Sequence, residues 1–141
     1  MAAYNKFQNF VEDLLSGFHD LRASGHVLKV YASNATPSAS ADAVKADLAE
    51  ITPANNYPAG GSDVVNTLSE TTGTATVAGT DVVWTASGGP FGPLQYIPMY
   101  NDTQTSPVDP LVCWWDYGSP VTVLDAETFT VDFGASIFTL A

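Results

Sequence analysis

The sequence predicts a mainly β protein: an antiparallel β-sandwich, jelly-roll-like, of about eight to nine strands with an N-terminal amphipathic helix. Three observations carry this expectation. From Ser62 onward the apolar residues recur with period 2 or in short runs, the spacing of strands. Those runs are separated by breakers such as Gly73, Gly79, Gly88-Gly89-Pro90, Gly118-Ser119-Pro120 and Gly134. Only the first part of the chain shows the 3.6-residue period of a helix. At 141 residues the chain has the length of one domain, read as a helix and arm over 1–25 and a β body over 26–141.

Taken in order, Phe7, Phe10, Val11, Leu14, Leu15, Phe18 and Leu21 fall on one helical face, with Lys6, Gln8, Glu12, Asp13 and Asp20 around the rest. This predicts a helix from about residue 5 to about residue 21, with Gly17 as the point where it ends or bends. Residues 26–33 (HVLKVYAS) read as a strand, 34–40 as turns, and 42–51 (DAVKADLAEI) as a short helix. The run TPANNYPAGGS is a loop by its paired glycines, asparagines and prolines. Further strands are predicted at 63–70, 74–78, 82–86, 94–100, 111–117, 121–124, 127–133 and 136–140. Within TFTVDF, Phe129, Val131 and Phe133 share one face while Thr128, Thr130 and Asp132 share the solvated one.

Charge narrows the function. All four cations (Lys6, Arg22, Lys29, Lys45) and both histidines lie in the first 45 residues, whereas residues 46–141 hold eleven carboxylates and no cationic side chain. The net charge is −11 and the pI about 4.1. Phosphate contacts need Lys or Arg, so this balance argues against direct binding of nucleic acid or an anionic membrane surface. The N-terminal apolar residues are interrupted by Glu12 and Asp13, unlike the continuous apolar core of a signal peptide. No stretch reaches the about 18 apolar residues of a membrane span. The single cysteine excludes an internal disulfide and a cysteine-based zinc site.

Candidate chemistry is sparse. Cys113 with His19 or His26 would be a nucleophile and base, but Cys113 sits in the apolar run LVCWW, where a free cysteine behaves as a small hydrophobe. Asp116, Asp125, Glu127 and Asp132 are close enough in sequence to pair for glycoside hydrolysis, and Trp114 and Trp115 suggest a sugar platform. Consecutive strand residues point to opposite faces, however, so those two tryptophans do not form one platform. Asn101, Asp102, Thr103 and Asp109 offer oxygen donors for a cation but lack the spacing of an EF-hand loop. The sequence therefore predicts no catalytic set, cofactor or metal.

Several segments resemble a known group. YNKFQNFVEDLLSGFHDL followed by LKVYASNATP, the loop EITPANNYPAGG, and the closing WWDYGSPVTVLDAETFTVDF are similar to small tailed-bacteriophage virion proteins across almost the whole chain. The resemblance implies a virion structural protein, most naturally of the head-decoration (capsid cement) type. Such a protein would dock on the major capsid protein as a dimer or trimer at capsid symmetry axes, without contact to nucleic acid or membrane. Its place would be the capsid outer surface, after synthesis in the host cytoplasm. A tail or neck component, or a surface carbohydrate-binding module built on Trp84, Trp114 and Trp115, are the alternatives. The neutral N-terminal part is the expected contact region: Lys6, Arg22 and Lys29 would meet acidic patches of the shell, and Tyr4, Phe7 and Phe10 would supply apolar area. The competing expectation is that Phe7, Phe10, Leu14 and Phe18 simply cover the open side of the sandwich.

Overall fold

A computed structural model describes residues 2–141. These form strands β1 (Ala3–Lys6), β2 (Leu28–Val30), β3 (Ser62–Val64), β4 (Asn66–Thr71) and β5 (Thr74–Gly79), followed by β6 (Val82–Thr85), β7 (Phe91–Asn101), β8 (Leu111–Val123), β9 (Thr128–Val131) and β10 (Phe138–Leu140). One α-helix, α1 (Asn9–Leu15), and a 3-10 turn (Lys45–Asp47) complete the regular structure. The strands make antiparallel sheets ordered β1-β8-β7-β2-β3, β10-β5-β4 and β6-β9. The mainly β sandwich expected from the periodicity is therefore what the chain forms.

The long β7–β8 pair is the spine of the five-stranded sheet, and both faces of that sheet are covered. On one face lies the main core, including Val30, Trp84, Leu94, Ile97, Met99, Val112, Trp115 and Phe133. On the other lies a smaller cluster of Phe7, Tyr31, Leu48, Tyr100 and Leu111, closed by Ala35 and Trp114. Double coverage explains the continuous apolar runs in β7 and β8, whereas β9 alternates cleanly, with Phe129 and Val131 in and Thr128 and Thr130 out. Trp114 and Trp115 belong to opposite cores, as their adjacency requires.

The irregular segment between β2 and β3 covers the smaller cluster, and a polar hub holds it there. Tyr57 Oη accepts the Ala32 amide at 2.8 Å and donates to Glu50 Oε1 at 2.9 Å. Glu50 also accepts the Gly60 amide at 2.8 Å and pairs with Lys45 Nζ at 3.1 Å. Lys45 Nζ sits 4.8 Å from the Tyr31 ring centroid, adding a cation–π contact. Replacing Tyr57 by Phe strands the buried Ala32 amide and removes one of the two hydrogen bonds that Glu50 Oε1 accepts. Tyr57→Phe should thus lower unfolding free energy by about 2 kcal/mol in urea denaturation; an unchanged midpoint would show that the hub is dispensable.

Four local expectations are corrected. The predicted helix over 5–21 is confined to seven residues, because residues 3–6 pair with β8 in the register Ala3↔Asp116 to Lys6↔Cys113. Gly17 (φ +80°) ends it: the Gly17 amide donates to Leu14 O and the Phe18 amide to Asp13 O, a Schellman stop. The N-terminal segment is consequently built into the β body, not an arm beside it. The helix predicted over 42–51 is replaced by an extended stretch and one 3-10 turn, because Lys45 N bonds Asp109 O and Leu111 N bonds Ala43 O. The strand predicted over 63–70 is two strands in different sheets, with the chain switching at exposed Val65. Conversely, the strands predicted at 111–117 and 121–124 are one, running through Gly118 (φ +87°) opposite a shifted register in β7.

Candidate functional site

The residues singled out for chemistry are mostly occupied in holding the fold. Cys113 is fully buried at the centre of the five-stranded sheet, and loss of solvation pushes its thiol well above the ordinary range, so it stays protonated. The four neighbouring carboxylates each accept a backbone amide: Asp116 from Gly118, Asp125 from Gly88, Glu127 from Leu124 and Asp132 from Gly134. Asp125, Glu127 and Asp132 are turn formers, and Asp116 lies within β8, where it also accepts Gln95 Nε2 at 3.0 Å. Trp84 and Trp115 are buried, the former donating Nε1–H to Ser62 Oγ at 2.8 Å, and half-buried Trp114 packs at a tilt against Phe7, ring centroids 4.6 Å apart. Only Trp114 retains surface to offer a sugar ring.

In the loop after β7, Asn101 is buried and its Oδ1 accepts the amides of Thr103 and Gln104. Asp102 pairs with Lys29 at 3.3 Å. No group of three or more potential metal ligands comes together among the described residues.

The Asn101 amide reaches both histidines, Nδ2 lying 3.2 Å from His19 Nδ1 and 2.9 Å from His26 Nδ1. Its orientation is fixed by the two amides on Oδ1, so Nδ2 is the donor, and its two hydrogens are shared among Phe18 O at 3.1 Å and the two imidazole nitrogens. Burial, with a smaller contribution from His26, lowers the pKa of His19 to about 4. His19 Nε2 is buried without a hydrogen-bond partner among the described residues.

The expected contact residues divide into two groups. Phe7 and Phe10 are buried in the two cores, so they supply no free apolar area to a partner, and the expectation that they cover the sandwich is the one that fits. Tyr4 is half-buried against Trp115 and Phe138, and burial raises its hydroxyl pKa. Lys29 lies between Asp63 at 3.7 Å and Asp102 at 3.3 Å. Arg22 is exposed but held by Asp20 through Nε at 2.9 Å and Nη2 at 2.6 Å, which lowers the Asp20 carboxyl to about 2. Lys6, on the edge strand β1, is exposed, and no carboxylate among the described residues pairs with it.

Sequence periodicity misassigned the faces of α1. Phe10 and Asp13 point inward, while Val11 and Leu15 are 44% and 84% exposed. Phe10 fixes this rotation by packing 5.1 Å from His19 and 5.4 Å from Phe138. The exposed pair joins Leu68 of β4 and Leu140 of β10 around two adjoining clefts beside the helix. The first, about 390 Å³, is walled by Leu14, Leu15, His19, Leu68, Phe138 and Leu140, with Arg22 and Asp20 at its rim. The second, about 410 Å³, shares Leu14, Leu15, Phe138 and Leu140 and runs on to Tyr4 and Lys6. A seven-residue helix has too few turns for its period to reveal which stripe faces inward, so the sequence carried no signal of this surface beyond an excess of apolar positions.

Comparison with known protein families, with curated proteins and with solved structures finds no match to this chain. No helix among the described residues is long and apolar enough to cross a membrane.

Proposed function

We propose that this protein is a structural component of a tailed-phage particle, of the head-decoration type. It docks on the outer surface of the assembled capsid and bridges neighbouring major capsid subunits, as a dimer or trimer at the shell's symmetry axes. The observation that carries this reading is where the polar groups go. The carboxylates considered for catalysis accept backbone amides, three of the four cations are engaged with carboxylates, and four of the ten large apolar side chains exposed among the described residues gather beside α1. A β body with a clustered apolar region and a net acidic surface suits a protein that acts by binding. Many copies, each bridging subunits that are adjacent only in the finished shell, stabilise that shell by mass action. The acidic remainder keeps the protein off nucleic acid. The sequence resemblance points the same way.

The test is stoichiometry. Quantitative mass spectrometry of purified particles should find the protein in numbers comparable to the major capsid protein, and particles lacking it should release DNA at lower temperature. A few copies per particle would move it to the tail or neck, and its absence from particles would remove the reading altogether.

A further inference from the structure

We propose that the paired clefts beside α1 are a docking groove for an extended, apolar segment of another protein that carries a carboxylate opposite Lys6.

Four of the large apolar side chains exposed among the described residues, Val11, Leu15, Leu68 and Leu140, line these two clefts. Isolated exposed aliphatics are ordinary, but a contiguous cluster around a concavity marks a binding surface. The backbone beside it is also unpaired. In the order β10-β5-β4, β10 pairs only with β5, and β1 is the outer strand of the five-stranded sheet. Both edge strands contribute to the second cleft, β1 through Tyr4 and Lys6 and β10 through Phe138, Thr139 and Leu140. An incoming strand can therefore pair with a free edge and set alternate side chains into the clefts.

Charge selects the occupant. The rim of the groove holds two of the four cations of a chain with net charge −11. Arg22 is neutralised by Asp20, while no carboxylate among the described residues pairs with Lys6, so a carboxylate is what the groove lacks. A second copy of the chain is the weaker candidate for this groove, because it brings the same large negative charge, and a dimer or trimer on the shell would use another surface. On the reading given above, the docked segment belongs to the major capsid protein; only the identity of its owner rests on that reading.

The experiment uses the intact protein and a displayed library of random twelve-residue peptides, with no particle involved. Binders should be enriched in alternating apolar residues with an Asp or Glu. Leu15→Lys should reduce their binding at least tenfold, and Lys6→Glu should turn the charge preference from acidic to basic. Leu15 and Lys6 are both exposed, so neither change disturbs the core, which unaltered thermal melts would verify. Absence of enrichment overturns the proposal, as does binding insensitive to both variants or without charge preference. Sedimentation showing a dimer that Leu15→Lys dissociates would also overturn it, by assigning the groove to a second copy. Failure of the protein to appear in particles would leave the peptide result standing and change only the segment's owner.

Discussion

Gly61→Ala is expected to be among the most damaging single substitutions in this chain, lowering unfolding free energy by about 4 kcal/mol. Gly61 has φ +74°, where an L side chain is strained, and a methyl group there would overlap the carbonyl oxygen of Val30 and lie 2.7 Å from Tyr31 Cα. Both obstacles are backbone atoms of the β2 segment, which is pinned between β3 and β7. The loop cannot retreat either, since the neighbouring Gly60 amide is tied to Glu50 and its carbonyl accepts the Tyr100 hydroxyl at 2.8 Å. Gly73→Ala supplies the comparison: its φ is +84°, but nothing lies within 4 Å of the added carbon. That variant bears only the left-handed strain, about 1 kcal/mol. Urea denaturation of the two variants separates strain from collision, and equal losses would mean that the approach of Gly61 to β2 contributes nothing.

Acidification between about pH 6.5 and pH 4 should destabilise the protein through His19. Its folded pKa is lowered to about 4, first by burial and then by His26, whereas an unfolded histidine titrates near 6.5. Within that window the unfolded chain binds a proton that the folded chain refuses, so stability falls as pH falls. The contribution is fully present above the unfolded value. The interval corresponds to about 3 kcal/mol at most. Asp13 works in the opposite sense, because burial and then Glu12 raise its pKa and make the folded state the better proton acceptor. Asp20, held near 2 by Arg22, titrates below the window. Denaturation midpoints measured at pH 7, 5 and 4 should decline steeply in the wild type and less steeply in His19→Gln. Parallel declines would show that other groups set the acid limit.

The fold class was legible because strand periodicity and turn residues are local signals. Phe129, Val131 and Phe133 announced their buried face, and Gly60-Gly61 announced a loop. What was missed depends on partners distant in sequence. Nothing local tells residues 3–6 to pair with β8, or residues 43–45 to bond with 109–111, and helical spacing in both stretches gave way to those pairings. The corner at Val65 carries no glycine or proline, whereas Gly118-Ser119-Pro120 carries both and yet lies inside a strand. Near the N-terminus helical spacing did not tell inside from outside: Phe7 and Phe10 went to the cores, and Val11 and Leu15 remained outside. Only the direction in which Phe10 packs separates those outcomes.

The two clusters on opposite faces of the five-stranded sheet have a joint fate. They share no interior, yet β7 and β8 form a wall of both, with Met99 facing one cluster and Tyr100 the other, and Trp115 and Trp114 divided likewise. Loss of either cluster withdraws support from the same two strands on which the other is built. Two cores divided by a single wall of this kind cannot melt in succession, so the molecule behaves as one cooperative unit.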